Sequence, residues 1–548
     1  MHLNNSSRAH YSSHHLFFVF VLSLFTFVAF SAAEDVPTTN VPTTQPGLDY
    51  KPGVDQVMKL LRDPSSLESA KRIIRGFPED ALPIVKDGLA HQFHDLPADV
   101  RLDVARIVDR NHAARAHARE LDDAALKWNE DAIRDNYQKA GLRDPSWDND
   151  AIAAMISFVR NKPDTDLFQK AQDEGCNDPL FRYCYARALQ NISGARYTRR
   201  MDEAADAMMA SNYPVSRKCF ALLNAVKADF PAIKSQTPLT GVQLKRIQKR
   251  LDTALTLYPQ ACKELNMAPQ LLAELAELLQ DGYFRSSGDR LKAIDTVYPV
   301  VAGALPHSTI PLDFKGKVYV NLAWDARGNG WSDTITPEGA DLMRQRLQIA
   351  REALTVASDE DSFDFAAPTQ MLNVLLEDGS GQPEMERWFI KATEANPDHR
   401  PAYGHRMYYL EPKWNGSPEA MLDFGRECVA TQNFAAGIPL ELASAHEALS
   451  RYYGGRYSAK PQRQYFMENP SSWDDICSGF VPALYLDPDN YHNRSLFARY
   501  AVWCGQYDEA KRQFTLLADH ADLQVFGNQL QFQKLRNEAN GASASTQP

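Results

Sequence analysis

No catalytic signature stands in this 548-residue chain. It has no GxSxG elbow, no Walker-type phosphate loop, and no GxGxxG following a strand-like run. These absences remove the commonest sequence routes to a hydrolase, a nucleotide-binding enzyme or a dinucleotide-dependent one. Metal-ligand spacing is missing too. The seven cysteines (176, 184, 219, 262, 428, 477 and 504) form no CxxC pair. His446-Glu447 opens like HExxH, but position 450 is Ser. The acidic run Asp359-Glu360-Asp361 with Asp364 lacks the Asp/Gly/Glu spacing of a calcium loop and reads as a solvated turn. No cofactor and no metal is implied. Basic runs are absent as well, and the balance is acidic, with 59 Lys+Arg against 70 Asp+Glu for a net −11. Phosphate recognition needs clustered cations, so nucleic acid is not an expected partner.

What is present begins with an export signal. Leu16–Phe30 is an uncharged apolar run, preceded by Arg8 and followed by Ser31, Ala32 and Ala33. This is the three-part layout of a secretory signal peptide, with the cut expected after Ala33. The other reading is an uncleaved anchor, for which the run is short, because a spanning helix needs ~20 apolar residues. Under either reading the body lies outside the cytosol, periplasmic or extracellular, and meets a membrane only through this segment if it stays uncleaved. Residues 34–47 repeat VPTT and form a Pro/Thr-rich linker.

Beyond the linker, apolar residues recur at helical spacing. Val54, Val57, Met58 and Leu61 make one stripe; Leu82, Ile84, Val85 and Leu89 make a second; Val100, Leu102, Val104, Ile107 and Val108 make a third. Pro- and Asp-bearing loops separate them, so residues 48–135 read as a HEAT-like helical segment. Residues 136–315 read as TPR-like repeats. Pro179, Arg182, Cys184, Tyr185 and Ala186 recur 35 positions later as Pro214, Arg217, Cys219, Phe220 and Ala221, close to the 34-residue period of a TPR helix pair. Each Pro fits a first helical position, and Asp178 fits an N-cap. Residues 432–536 read as further TPR-like repeats. There Ala498, Gly505, Tyr507, Ala510 and Phe514 occupy the small, helix-ending and groove-filling positions such a repeat requires. Pro397 closes one repeat and Pro401 opens the next helix. Residues 537–548 read as a disordered tail.

Residues 316–431 carry the words AWDARG (323–328), LEPKWNGSPEAM (410–421) and FGREC (424–428). In these words the segment resembles a bacterial domain-of-unknown-function family of exported, TPR-containing proteins. That resemblance implies a helical-repeat fold and an exported address. It implies no activity and no catalytic residue.

Two clusters are candidate binding surfaces. Trp324, Asp325, Arg327 and Trp331 put an acid and a guanidinium between two indoles on a Gly-rich turn, suited to an anionic or sugar-like ligand. The alternative is a helix C-terminus capped by Gly328 or Gly330. His405, Arg406, Tyr409 and Trp414, in the Tyr403–Trp414 stretch, suit a peptide groove; the alternative is an aromatic plug at a repeat turn. The cysteines read as small buried hydrophobes. A Cys184–Cys219 bridge is not expected, because equivalent positions in neighbouring repeats lie ~8–10 Å apart, beyond disulfide reach. The whole predicts an all-α superhelix of TPR-like repeats, with a HEAT-like N-terminal part as one reading. The function it predicts is an exported scaffold whose partner is another exported or envelope protein or peptide. An enzyme or carbohydrate-binding protein is the alternative.

Overall fold

The computed structural model describes residues 48–189, 194–230, 239–265, 268–328, 334–376, 381–454 and 462–545. The signal segment, the Pro/Thr linker and Trp331 lie outside them. The described residues are helical and contain no strand. None of their helices is long and apolar enough to cross a membrane. They divide into two compact units. One is built from Leu121–Ala353; the other joins Asn40–Glu120 to Leu354–Pro548. Both divisions fall inside helices, Ala98–Ala140 and Pro337–Glu360.

In the first unit each helix packs on the next. Asp148–Val159 pairs with Thr165–Asp173, Pro179–Ala188 with Gly194–Ala210, and Val215–Asp229 with Gly241–Glu264. Pro269–Ser287 pairs with Arg290–Ala304, which in turn meets Ile310–Arg327. Alternate helices also touch. Val215–Asp229, Pro269–Ser287 and Ile310–Arg327 meet in sequence in one layer, and Gly241–Glu264 meets Arg290–Ala304 in the other. Contact with the next helix and the next but one is how a repeat array buries a continuous core.

The 35-residue repeat has a direct physical basis here. Asp178 accepts hydrogen bonds from the Leu180 and Phe181 amides at 2.8 and 3.0 Å, capping Pro179–Ala188. Pro179 occupies the first helical turn as expected, whereas Pro214 stands one place earlier, at the N-cap of Val215–Asp229. Cys184, Tyr185 and Ala186 and their counterparts Cys219, Phe220 and Ala221 are all buried in one core cluster. Tyr213 reaches back and donates to Asp178 at 2.9 Å, and the Leu142 amide does the same. One carboxylate thereby joins three successive segments.

The second unit follows the same pairing. Ala366–Val374 packs on Gly381–Ala395, Pro418–Ala430 on Glu441–Gly454, and Tyr491–Trp503 on Tyr507–Leu517. In the last pair Ala498 and Ala510 are fully buried where the helices approach, with Phe514 beside them. Gly505 ends the first helix at φ +73°, a left-handed geometry that favours glycine. Pro401 lies in the first turn of Arg400–Tyr409.

Leu67–Gly76 packs against Gly381–Ala395 and Pro418–Ala430, more than 300 residues along the chain. Arg115 clamps Asp398 through two hydrogen bonds of 2.8 and 2.7 Å, and Asn433 donates to the same carboxylate at 2.7 Å. The helix Gln529–Ser545 takes in residues 537–545 of the 537–548 segment expected to be a disordered tail, and 546–548 lie outside the described residues. Buried Ala539 and the Glu538–Arg463 ion pair hold it to the last repeats.

Candidate functional site

The AWDARG turn closes the helix Ile310–Arg327. The Gly328 amide donates to the Trp324 carbonyl at 3.1 Å, with Gly328 at φ +77°. The helix ends there, but Gly328 has ψ 179° and so does not adopt the left-handed cap. Trp324 is buried, and the Arg327 guanidinium lies 5.5 Å from its ring centroid. Asp325 does not face Arg327 for ligand capture. It accepts from Arg290 Nε at 2.9 Å, and Arg290 itself lies 3.9 Å over the Phe284 ring. The acid therefore ties two neighbouring helices. These residues belong to the first unit.

His405, Arg406 and Tyr409 lie on Arg400–Tyr409 in the second unit, and all three are buried. The Arg406 guanidinium sits between the Phe389 and Phe424 rings, 4.5 Å from each centroid, and pairs with Glu386 at 2.9 Å. Glu386 also meets Arg72 at 3.4 Å, and Arg72 grips Glu427 with bonds of 2.9 and 2.6 Å. The result is a closed four-charge cluster in which each ion has an opposite neighbour. Burial holds the His405 imidazole down to about 4 and that of His399 to about 3, so both rings are neutral at pH 7. Trp414 packs edge-on to Tyr408 at 5.7 Å, with Lys413 4.4 Å over the Tyr408 ring. Gly416 sits against the Leu410 backbone with no room for a Cβ. The 403–414 stretch is thus packed as an aromatic turn.

His446, read from sequence as half of an incomplete zinc motif, bridges two partners. Tyr465 Oη lies 3.0 Å from Nδ1, and Asp475 Oδ2 lies 2.9 Å from Nε2. Glu447 is taken by Arg499 at 2.8 Å and by Arg451 at 3.0 Å. All seven cysteines are free thiols, five of them buried. Burial pushes the Cys184 and Cys219 thiols up to about 12.

Sequence reading missed a polar row on the first unit. It is carried by alternate helices: Tyr183 and Arg187 on Pro179–Ala188, Asn224 and Lys227 on Val215–Asp229, and Glu274 and Glu277 on Pro269–Ser287. Asn224 joins the first two helices. Its amide donates to Tyr183 Oη at 3.1 Å, and its Oδ1 accepts from Arg187. Lys317 on Ile310–Arg327 reaches Glu277 at 2.6 Å. Burial raises the Glu274 carboxyl against the opposing pull of Arg187 and Lys227, and lowers Lys227 against the pull of Asp281 and Glu274. Acid and base in the row are therefore partly desolvated. Glu274 makes no hydrogen bond or short ion pair among the described residues. Part of the row is occupied by the chain itself, since Arg217 donates to Asn129 at 3.0 Å and lies 5.3 Å from the Trp128 ring. The signal that could have found the row is the i, i+4 spacing of Tyr183/Arg187 and the i, i+3 spacings of Asn224/Lys227 and Glu274/Glu277.

No protein-family model matches the chain, and no curated protein matches it in sequence.

Proposed function

We propose that this protein is an exported helical-repeat scaffold that binds another exported or envelope protein through the polar row of its first unit. The observation that carries this reading is the row itself. Arg187, Lys227 and Glu274 come from three successive layer-sharing helices and are neither buried nor fully exposed. Stacked repeats present such rows as extended recognition surfaces, because each repeat adds a few side chains to one face. By contrast His405 and Arg406 are buried in internal packing, while Asp325 is exposed and paired with Arg290. Export rests on the Leu16–Phe30 signal, and the likeness to exported TPR-containing proteins in the 323–328, 410–421 and 424–428 words agrees with it.

The test is a quantitative pull-down with the tagged chain from envelope extract, comparing the natural protein with Arg187→Glu/Lys227→Glu. Arg187 also bonds the buried Asn224, so far-UV circular dichroism of the two proteins is compared before the pull-down. A defined set of partners is expected to depend on the two cations. Identical recovery with both proteins would end the proposal.

A further inference from the structure

The first unit has a second surface with separate chemistry. A cleft of about 490 Å³ opens beside the helix Asp148–Val159, lined by Arg134, Asn149, Ile152, Ile156, Arg160 and Lys162 among others. Its floor is one stripe of that helix, where Asn149, Ile152, Ala153, Ile156 and Ser157 follow at three- and four-residue spacing. Most of the wall is apolar. Arg134 closes one side from the helix Ala98–Ala140.

The end of the cleft is set by backbone geometry. Asn161 takes φ +53°, the Lys162 amide donates to the Ser157 carbonyl at 3.0 Å, and the Asn161 amide donates to Phe158 at 3.0 Å. This paired closure with a left-handed residue is a Schellman motif, with Asn in the place glycine usually takes. It folds the chain back so that Arg160 and Lys162 both border the cleft. The two cations also complement the helix C-terminus. That role does not account for Arg134, which comes from a different helix.

No acid lines the cleft. Arg160 is held by Glu130 at 2.5 Å, while Arg134 and Lys162 are exposed and make no ion pair among the described residues. Three cations around an apolar floor stand out on a chain of net charge −11. The helix Asp148–Val159 packs on Thr165–Asp173 and Pro179–Ala188. Ile156 is buried in the core with Ile133 and Tyr137 of Ala98–Ala140, while Ile152 is partly buried and Ala153 is exposed along the floor.

We infer that this cleft docks an acidic amphipathic helix of a partner protein, with apolar residues on the Ile152/Ala153 floor and carboxylates on Arg134 and Lys162. Charge complementarity selects the sign of the occupant. The open side and the helical stripe of the floor select a helix lying across it over an engulfed acyl chain. This inference rests on the scaffold reading but uses a different surface.

The experiment is fluorescence anisotropy on the full chain with a fluorescein-labelled 14-residue peptide of two Leu-Glu-Glu-Leu-Glu-Glu-Glu heptads. Two control peptides replace every Glu by Lys, or every Leu by Ser. The acidic amphipathic peptide is expected to bind and both controls to fail. Arg134→Glu/Lys162→Glu is expected to weaken binding at least tenfold, and Ile152→Ser to weaken it severalfold, with far-UV circular dichroism unchanged. Rising salt should weaken the complex, because the cations are exposed. Arg187→Glu/Lys227→Glu should leave it unchanged, which separates this result from failure of the polar-row reading. Equal binding of all three peptides would overturn the inference, as would insensitivity to the Arg134/Lys162 reversal. Displacement of the peptide by palmitate at comparable concentration would overturn it in favour of a lipid site.

Discussion

The second unit closes its buried charges, whereas the first closes some, where Arg246 and Arg250 meet Asp202 and Asp229, and leaves one row more open. In the second, Arg406 is enclosed by two aromatic rings and Glu386, Arg72 is enclosed by Glu427 and Glu386, and Arg115 is enclosed by Asp398. These ions fix distant parts of the chain to one another. In the first unit, Arg187, Lys227 and Glu274 lie along a row that is partly exposed, and Glu274 makes no hydrogen bond or short ion pair among the described residues. A closed cluster serves stability and register; an open row is available to something else. Residue type does not separate the two cases, since arginines and glutamates build both. What separates them is whether the next element of the chain covers the side chain.

The sharpest way to break this comparison is to remove a closed ion. Arg115→Ala leaves Asp398 with only Asn433 and its own turn, and breaking a buried pair costs ~3–5 kcal/mol. A large fall in thermal midpoint is expected by calorimetry, and a loss under ~1 kcal/mol would show that the cluster is not a clamp.

Asp178→Ala comes next. It removes the cap of Pro179–Ala188 together with acceptors for Leu142 and Tyr213. A cap alone is worth ~1 kcal/mol, and leaving buried donors unpaired adds to that, so about 2–3 kcal/mol is expected from urea unfolding.

The third effect is pH-dependent and belongs to the second unit. His405 titrates near 6.5 when unfolded and at about 4 when folded, because burial disfavours the cation. Its folded pKa is depressed, so the stability it contributes is full above pH 6.5 and is lost as pH falls towards 4. At pH 5 the unfolded state binds more protons, and the linkage costs ~2 kcal/mol for this group. Denaturation measured at pH 7 and pH 5 should show that loss together with a similar one from His399, and His405→Gln should remove about half of the total. An unchanged pH dependence in the variant would show that His405 is not the buried neutral ring described here.

The smallest effect is expected in the row. Lys227→Ala and Glu274→Gln should each shift stability by no more than ~0.5 kcal/mol, as surface replacements do. A loss several times larger would mean that the row is structural after all.

Much of the fold was legible because its cause is local. The caps at Asp178 and Gly505, the small residues Ala498 and Ala510, and the 35-residue recurrence are decided by neighbours within one helix pair. The helical reading and the repeat pairing follow from these. Other features have distant causes. Nothing near Leu67–Gly76 in sequence announces that Gly381–Ala395 and Pro418–Ala430 will cover it, because that pairing depends on where some 300 intervening residues place the chain. Pro259, Pro299 and Pro482 lie inside helices, although proline removes a helical hydrogen bond and usually reads as an end. The candidate clusters were chosen for chemistry that suits ligands. The same guanidinium and indole groups also suit core packing, and only the positions of Arg290, Phe389 and Phe424 decide between the two uses. The row escaped notice because its members are four or fewer residues apart only within each helix, and 37 to 53 apart between successive helices.

The open row is the central claim, and site-specific photo-crosslinking tests it most directly. Benzoylphenylalanine placed at Glu274 in one protein and at buried Tyr409 in another, in cells that export the chain, compares the row with the packed 403–414 turn. A discrete crosslinked partner is expected from position 274, abolished by Arg187→Glu/Lys227→Glu, and no adduct is expected from position 409. Adducts from 409 with none from 274 would contradict the open row.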